Sequence, residues 1–151
     1  MPIRLAARAV LLHDDRLLLV NAYPPSRGSD LWCAPGGGVE PHASLPDNLA
    51  REVAEETGLE VRVDAPCLVN EFHDPDRGFH QVELFFRCRL RRGALRDDWR
   101  DPEGVVTRRR WFARAELADI RFRPRGLPAA AWDMATDAAP LRYDALERIV
   151  G

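Results

Sequence analysis

Cysteine pairs, long apolar runs and an excess of charge of one sign are all missing from this chain of 151 residues. Its three cysteines, Cys33, Cys67 and Cys88, are odd in number and match no metal-binding spacing, so we expect reduced, packed thiols. No apolar run approaches the roughly 18 residues needed to cross a bilayer. The net charge of −2 gives no general attraction to nucleic acid or to anionic membranes. These absences favour a cytoplasmic enzyme with neither nucleic acid nor a membrane as its partner.

The composition is typical of a globular protein with a hydrophobic core. Hydrophobic residues make up 46% of the chain and charged residues 30%. No internal repeat, low-complexity tract or linker is visible in the sequence. Because 151 residues is a usual length for one domain, we predict a single domain over residues 1–151.

Strand-like and helix-like segments follow one another in an order typical of a mixed α/β protein. Alternating or β-branched segments predict strands at residues 4–12, 16–23, 31–34, 61–63, 67–72, 80–90 and 107–112. The first two are expected to form a hairpin, and Pro66 is expected to interrupt the run before residue 72. Three helices are predicted after a longer central one, at residues 113–120, 129–137 and 141–149. This order predicts a mixed sheet covered by helices on both faces.

The central helix has recognisable ends. Ser44, followed three residues later by Asp47, is similar to a capping box. Pro46 suits the first turn, where its missing N–H is not needed, and Gly58 is a typical C-terminal stop. The helix is therefore predicted to lie between Ser44 and Gly58.

One face of this helix is acidic. Because a helix turns by about 100° per residue, Glu52, Glu55 and Glu56 fall within about 100° of one another. Like charges at this spacing repel by roughly 0.2–0.5 kcal/mol per pair, and Arg51 alone cannot neutralise three acids. Hard divalent cations prefer such oxygen ligands, so we expect a cation at this face. The glycines at residues 36–38 lack Cβ atoms, which allows their backbone to approach a ligand or metal closely.

The segment from Gly37 to Leu59 resembles the Nudix box, Gly-x5-Glu-x7-Arg-Glu-U-x-Glu-Glu-x-Gly-U, in which U is a bulky aliphatic residue. The matching positions, all at the right spacing, are Gly37, Arg51, Glu52, Val53, Glu55, Glu56, Gly58 and Leu59. One position departs from the pattern, because Ala43 stands where the motif has its first Glu. The Gly that usually precedes that Glu is His42 in this chain.

The resemblance implies a fold, a reaction and a cofactor. The implied fold is a Nudix-like α/β/α sandwich, with a mixed β-sheet and the box helix on one face. The implied reaction is the metal-dependent hydrolysis of a nucleoside diphosphate linked to another moiety X, by attack of water on a phosphorus of the P–O–P bond. The implied cofactor is Mg²⁺ or Mn²⁺, and the implied partner is a small nucleotide substrate. A homodimer is compatible with the sequence.

The resemblance also implies roles for residues of the box. Glu55 and Glu56 are expected to be metal ligands, and Glu52 is expected to be a ligand or the general base. The carbonyl of Gly37 is expected to complete the coordination. Arg51 is expected to orient a carboxylate, so Glu52, Arg51 and Glu55 are the expected catalytic residues.

The departure at Ala43 leaves more than one function open. In many members of the family this Glu supports the Arg and the loop, so its loss is expected to weaken orientation more than chemistry. Glu40 and Asp47 are the candidates to substitute for it. The alternative is a catalytically weakened Nudix-fold protein that binds nucleotides or regulates. A third reading is an isoprenoid diphosphate isomerase, but the near-complete box and the lack of a convincing catalytic cysteine disfavour it.

Residues outside the box complete the predicted site. Glu103 is the first choice for a further acidic metal ligand, and Glu83 is the second. Arg8 and Arg27 are candidates for contacts with substrate phosphates. Three aromatic residues are candidates for stacking on a base, namely Phe79, Trp32 and Tyr23. Each of these residues also fits an ordinary role on the surface, in the core or in a loop.

Overall fold

The computed structural model describes residues 2–133, 142–143 and 147–150. The long helix, α1, spans Leu45–Thr57. The strands are β1 (Arg4–His13), β2 (Arg16–Asn21), β3 (Trp32–Cys33), β4 (Gly36–Gly38), β5 (Glu60–Asp74), β6 (Phe79–Arg92), β7 (Arg109–Ala113), β8 (Arg142–Tyr143) and β9 (Glu147–Arg148). The hairpin predicted for β1 and β2 is confirmed, and its turn consists of Asp14 and Asp15, both with positive φ.

The strands form one mixed sheet. β3, β2, β1, β6, β5 and β8 follow one another across it, while β4 pairs with β1, β7 with β2 and β9 with β5. β1 and β6 run parallel, from Arg4 opposite Gln81 to Leu11 opposite Cys88. β5 and β6 run antiparallel, as do β1 and β4. The mixed β-sheet predicted from the sequence is therefore confirmed.

Helix α1 covers one face of the sheet. Successive residues of a strand point to opposite faces, so Phe86 of β6 packs with α1 while its neighbour Phe85 packs on the other side. On the helix, Leu49 and Val53 are fully buried in the core shared with Phe86. Because these apolar residues occupy one side of α1, the acidic residues are left on another side.

Short helical segments cover the opposite face. A 3₁₀ helix, Arg114–Asp119, and a π-helical turn, Ala129–Asp133, contribute Leu117 and Ala130 to the core around Phe85. The sheet thus lies between α1 and these segments, and the predicted α/β/α sandwich is confirmed with a thinner second layer. In the described part of the chain, no helix combines the length and the apolarity of a membrane span.

Both predicted ends of α1 are confirmed. The Ser44 hydroxyl accepts the backbone N–H of Asp47 at 3.1 Å, which satisfies one of the free donors of the first turn. Gly58 has a φ of +74°, and its N–H donates to the Ala54 carbonyl at 2.9 Å. This left-handed cap fixes where the helix ends and where the chain turns into β5.

Three predicted elements differ in extent or in type from the observed ones. β5 runs through Pro66 without interruption, because register shifts in its ladder with β6 accommodate the proline. The helix predicted at residues 113–120 is the 3₁₀ helix of the second layer. Of the helix predicted at residues 129–137, the first part is the π-helical turn, and residues 134–137 lie outside the described residues.

The helix predicted at residues 141–149 is wrong where the chain is described. Strands β8 and β9 occupy this segment and run parallel to β5, with Phe72 opposite Glu147. The N–H of Ile149 donates to the His73 carbonyl at 3.3 Å. The spacing of apolar residues resembled a helix, but β5 presents backbone groups that a strand can pair with, and that long-range pairing overrides the local pattern.

Candidate functional site

The acidic face of α1 and the glycines of β4 line a cavity of about 520 Å³. Glu52 and Glu56 are the acids that α1 contributes to the lining. Side chains of β1, β6 and the loop before β7 line it as well, among them Arg8, Phe79, Glu83 and Glu103. The fold therefore brings predicted metal ligands, a predicted phosphate contact and a predicted stacking residue to one place.

Two glycines of β4 allow its backbone to pass close to β1 and to α1. Gly36 has a φ of +142°, and a Cβ there would lie 2.1 Å from the Ala7 carbonyl oxygen. A Cβ at Gly37 would lie 3.0 Å from the carboxylate of Glu52. No other residue type fits Gly36 without displacing β1, and a side chain at Gly37 would push against an acid of the predicted metal site.

Glu56 is the most strongly perturbed acid of the cavity. Its Oε2 accepts the N–H of Gly36 at 3.1 Å. Burial raises the pKa of its carboxyl to about 8, against the opposing effects of the Arg8 charge and this hydrogen bond. The negative charges of Glu52 and Asp101 raise it further. Ionised Glu56 thus lacks sufficient compensating positive charge, which a bound cation would provide.

Glu52 is buried beside it, with 8% of its surface exposed. Burial raises the pKa of the Glu52 carboxyl. The Arg51 charge lowers it, while the charges of Glu55 and Glu103 raise it. Glu103 is thus electrostatically coupled to the acids of α1, although it lies in a distant part of the sequence.

Arg51 organises the side of the helix next to the cavity. Its Nη1 donates to both carboxylate oxygens of Glu55, at 3.0 and 3.1 Å. Its Nη2 donates to Asn48 at 3.2 Å and to Glu52 at 3.3 Å. Glu55 faces Arg51 and lies outside the lining of the cavity. The orienting role of Arg51 and the ligand role of Glu55 stay predictions.

The position of the missing motif acid is exposed. Ala43 lies in the turn before α1, and Glu40 at the start of this turn has a carboxylate oxygen 3.4 Å from Nη2 of Arg51. Asp47 instead lies in the first turn of α1, where its N–H binds the Ser44 hydroxyl. Of the two predicted substitutes, Glu40 is the one whose carboxylate approaches Arg51.

Arg8 of β1 is bonded to a side chain of β6 and to the backbone at and before β4. Its Nε donates to Glu83 at 3.2 Å, and its Nη1 donates to the carbonyls of Gly36 at 2.9 Å and Ala34 at 3.3 Å. Gln81 donates to the other oxygen of Glu83 at 2.8 Å. Arg8 thus has structural partners in addition to its predicted role at phosphate, and Glu83 is paired with it.

Of the remaining predicted contacts, Phe79 and Tyr23 line the cavity, and Arg27 and Trp32 do not. Phe79 lines it, with the guanidinium of Arg4 5.5 Å from its ring centroid. Tyr23 also lines it and carries the guanidinium of Arg27 at 4.1 Å, whereas Arg27 lies outside the lining. Trp32 packs edge-on against Phe112 at a centroid distance of 5.0 Å, as the packing alternative expects.

Sequence reasoning missed Asp101, whose carboxylate contacts the loop that carries Glu103. A signal for it exists in the segment Asp101-Pro102-Glu103-Gly104. Asp, Pro and Gly at the first, second and fourth positions are typical of a type I turn. The turn forms, since the N–H of Gly104 donates to the Asp101 carbonyl at 2.9 Å.

The donor set suits a hard divalent cation. In the described residues, no group of three or more His, Cys, Asp or Glu side chains is already arranged around a metal position. The cavity nevertheless offers carboxylate oxygens from Glu52, Glu56 and Glu103, together with the close backbone approach at Gly37. Oxygen ligands with excess negative charge are what Mg²⁺ and similar ions bind.

Comparison with known proteins supports the pattern seen in the sequence. The family model of the NUDIX domain matches residues 2–133. Diphosphoinositol polyphosphate phosphohydrolase 2 of Rattus norvegicus is 34% identical over 99 residues, which are 66% of this chain and 50% of that protein. The chain therefore spans about half the length of this curated relative.

Solved structures show the same fold. A UDP-X diphosphatase superposes with a TM-score of 0.71 at 21% identity, covering 95% of this chain and 68% of that one. An ADP-ribose pyrophosphatase from Streptococcus suis superposes with a TM-score of 0.71 at 22% identity, covering 95% of this chain and 100% of that one. At these identities the likeness concerns the fold alone.

Proposed function

Because the chain belongs to the Nudix family, we propose that it is a metal-dependent pyrophosphohydrolase that cleaves a nucleoside diphosphate linked to a second moiety. The family acts on pyrophosphate bonds. The observation that carries the proposal is a single cavity lined by Glu52, Glu56 and Glu103 at one part and by Arg8 and Phe79 at others. These groups suit a cation, a diphosphate and a base respectively.

Nudix hydrolases generally need divalent metal ions, and we propose Mg²⁺ or Mn²⁺ here. The carboxylates of Glu55 and Glu56, the carbonyl of Gly37 and the carboxylate of Glu103 would hold it, with Glu52 beside them as a further ligand or as the base. A divalent ion supplies positive charge that offsets the charge of a diphosphate and makes nearby water more acidic. The raised pKa of Glu56 supports this assignment, because a cation would stabilise the ionised carboxylate.

The chain's own residues orient the acids and accept the proton. Glu52 is the proposed base, since it lines the cavity and its raised pKa gives it greater affinity for a proton. Arg51 would hold Glu55 and Glu52 in place through the hydrogen bonds it already makes to both. The carboxylate of Glu40 near Arg51 supports the proposal that orientation survives the replacement at Ala43.

The lining favours a nucleotide over a densely phosphorylated inositol. Diphosphoinositol polyphosphate phosphohydrolases are among the relatives, but a ligand with many phosphates needs many cationic partners. Among the described residues, the arginines of the lining are Arg4, Arg8 and Arg123, and Arg8 is already paired with Glu83. Phe79 instead offers an aromatic surface on which a base can stack.

The unpaired thiols at three cysteines support a reducing compartment such as the cytoplasm.

A substrate panel tests the proposal. The protein is incubated with Mg²⁺, Mn²⁺ or EDTA and with ADP-ribose, UDP-sugars, NADH, nucleoside triphosphates, dinucleoside polyphosphates and a diphosphoinositol polyphosphate. We expect metal-dependent release of a nucleoside monophosphate from one nucleoside diphosphate derivative. Hydrolysis in EDTA would reject the metal mechanism, and exclusive hydrolysis of the diphosphoinositol compound would reject the nucleotide.

The replacement at Ala43 favours a second candidate, a weakened protein that binds a nucleotide without turnover. Ala43→Glu separates the two. If Glu40 already serves Arg51, the variant should hydrolyse within about tenfold of wild type, and Glu40→Gln should lose roughly 10–100-fold in activity. A wild type that is silent across the panel, together with an active Ala43→Glu variant, would establish the second candidate.

Gly37→Ala is expected to lower Mn²⁺ affinity and hydrolysis by roughly 10–100-fold, the usual cost of disturbing the surroundings of a metal site. The added Cβ would lie 3.0 Å from the carboxylate of Glu52 and displace it. Gly38→Ala is the matched control, because its nearest neighbour is the Nη2 atom of the flexible Arg4 side chain at 3.3 Å. Isothermal titration with Mn²⁺ and initial rates measure both, and equal losses in the two variants would contradict the prediction.

A further inference from the structure

A buried carboxylate anchors the loop that carries Glu103. Asp101 is only 9% exposed, and its Oδ1 accepts the N–H of Glu103 at 3.0 Å. Its Oδ2 accepts the N–H of Val105 at 3.1 Å and that of Val106 at 2.9 Å. Three backbone donors thus converge on one side chain. Because hydrogen bonds to a charged acceptor are stronger than neutral ones, this side chain fixes the path of the loop.

The far end of the same loop is held by a buried amide. Asn21 Oδ1 accepts the N–H groups of Thr107 at 2.9 Å and Arg108 at 2.8 Å. Its Nδ2 donates to the carbonyls of Val105 at 2.8 Å and Tyr23 at 2.7 Å. Glu103 therefore begins a segment, residues 103–108, whose backbone is bonded to the side chains of Asp101 and Asn21.

This loop is also attached to helix α1. Trp99 Nε1 donates to the carbonyl of Glu55 at 2.8 Å, and Arg109 Nε donates to the carbonyl of Glu56. Carbonyls in the last turn of a helix lack intrahelical donors, so these side chains satisfy them. Glu55 and Glu56, whose carbonyls accept these hydrogen bonds, are predicted metal ligands, and Glu103 lines the same cavity as Glu56.

We propose that Asp101 is a positioning residue that holds the carboxylate of Glu103 at the cation-binding face of α1. Asp101 holds Glu103 through the backbone of the loop, which occupies both of its carboxylate oxygens, and its charge also acts on Glu56 directly. The proposal rests on the proposed function in one respect, namely that Glu103 helps to bind a divalent ion. Without the carboxylate, the N–H groups of the loop lose their shared acceptor, and the position of Glu103 is no longer fixed.

A double-mutant cycle on Mn²⁺ affinity, measured without substrate, tests the proposal. The proteins are wild type, Asp101→Asn, Glu103→Gln and the double variant. Asparagine keeps the shape of Asp101 but turns an NH₂ group toward backbone donors. Each single variant should lose roughly 10–100-fold in Mn²⁺ affinity. The double variant should lose no more affinity than the single variant with the larger loss. Asp97→Asn, the same change at an exposed acid of this loop, is the control and should match wild type.

Losses that multiply in the double variant, or wild-type affinity in Asp101→Asn, would overturn the proposal. If wild type binds Mn²⁺ but hydrolyses nothing, the proposed function is rejected. The double-mutant cycle on Mn²⁺ affinity can still be interpreted in that case. If Asp101→Asn does not fold, amide hydrogen exchange on the wild type decides. Saturating Mg²⁺ should slow exchange at Glu103, Val105 and Val106, and Glu103→Gln should remove the slowing; exchange unaffected by Mg²⁺ would overturn the proposal.

Discussion

Glu56→Gln is expected to abolish metal-dependent hydrolysis while leaving the chain folded. The Glu56 carboxylate lines the cavity and accepts the N–H of Gly36 at 3.1 Å. Glutamine keeps the size of the side chain and one oxygen acceptor, but it removes the negative charge that a divalent ion needs. Metal ions contribute several kcal/mol to the transition state of phosphoryl hydrolysis, so the loss in kcat/KM should be about 10³-fold or more.

The measurement compares kcat/KM on the best substrate of the panel with Mn²⁺ affinity measured without substrate. Both should fall together, because the same carboxylate serves both. Glu60→Gln is the matched control, since Glu60 is an exposed acid just beyond α1, and its rates should equal those of wild type. A Glu56→Gln variant that keeps its rate within about tenfold of wild type would remove Glu56 from the proposed metal site.

The sequence predicts α1 well because the information for it is local. The cap at Ser44, the stop at Gly58 and the separation of apolar from acidic residues all depend on neighbours within a few positions. The same reasoning fails at residues 141–149. There β8 and β9 form against the edge of β5, a strand some seventy residues earlier, and no local pattern encodes that partner.

At the site, too, local sequence predicts which residues share a face, but it does not predict the surroundings of each side chain. Helical spacing places Glu52, Glu55 and Glu56 on one face, but it cannot distinguish a buried carboxylate from one paired with Arg51. The sequence predicts Arg8 as a phosphate contact but does not predict its bond to Glu83. That bond depends on the parallel pairing of β1 with β6, since the two residues are 75 positions apart. These environments arise only when β1, β4 and β6 meet beside the helix.

The metal-free protein is expected to lose stability as the pH rises from 6 to 9. Burial raises the pKa of Glu56 to about 8 in the folded protein, from an ordinary value of 4.5. The folded state therefore holds this proton more tightly than the unfolded chain. The resulting contribution to stability is complete below about pH 4.5 and is lost as the pH rises through about 8. Between pH 6 and pH 9 the loss should be about 2–3 kcal/mol of unfolding free energy.

Urea unfolding in EDTA at several pH values measures this loss, and Glu56→Gln identifies its source. Glutamine has no proton to release, so the variant should keep most of its unfolding free energy at pH 9. Saturating Mg²⁺ should have the same effect on wild type, since a cation stabilises the ionised carboxylate and lowers its pKa. Stabilisation by Mg²⁺ should therefore be larger at pH 9 than at pH 6. Equal slopes of unfolding free energy against pH in wild type and Glu56→Gln would show that another group titrates in this range.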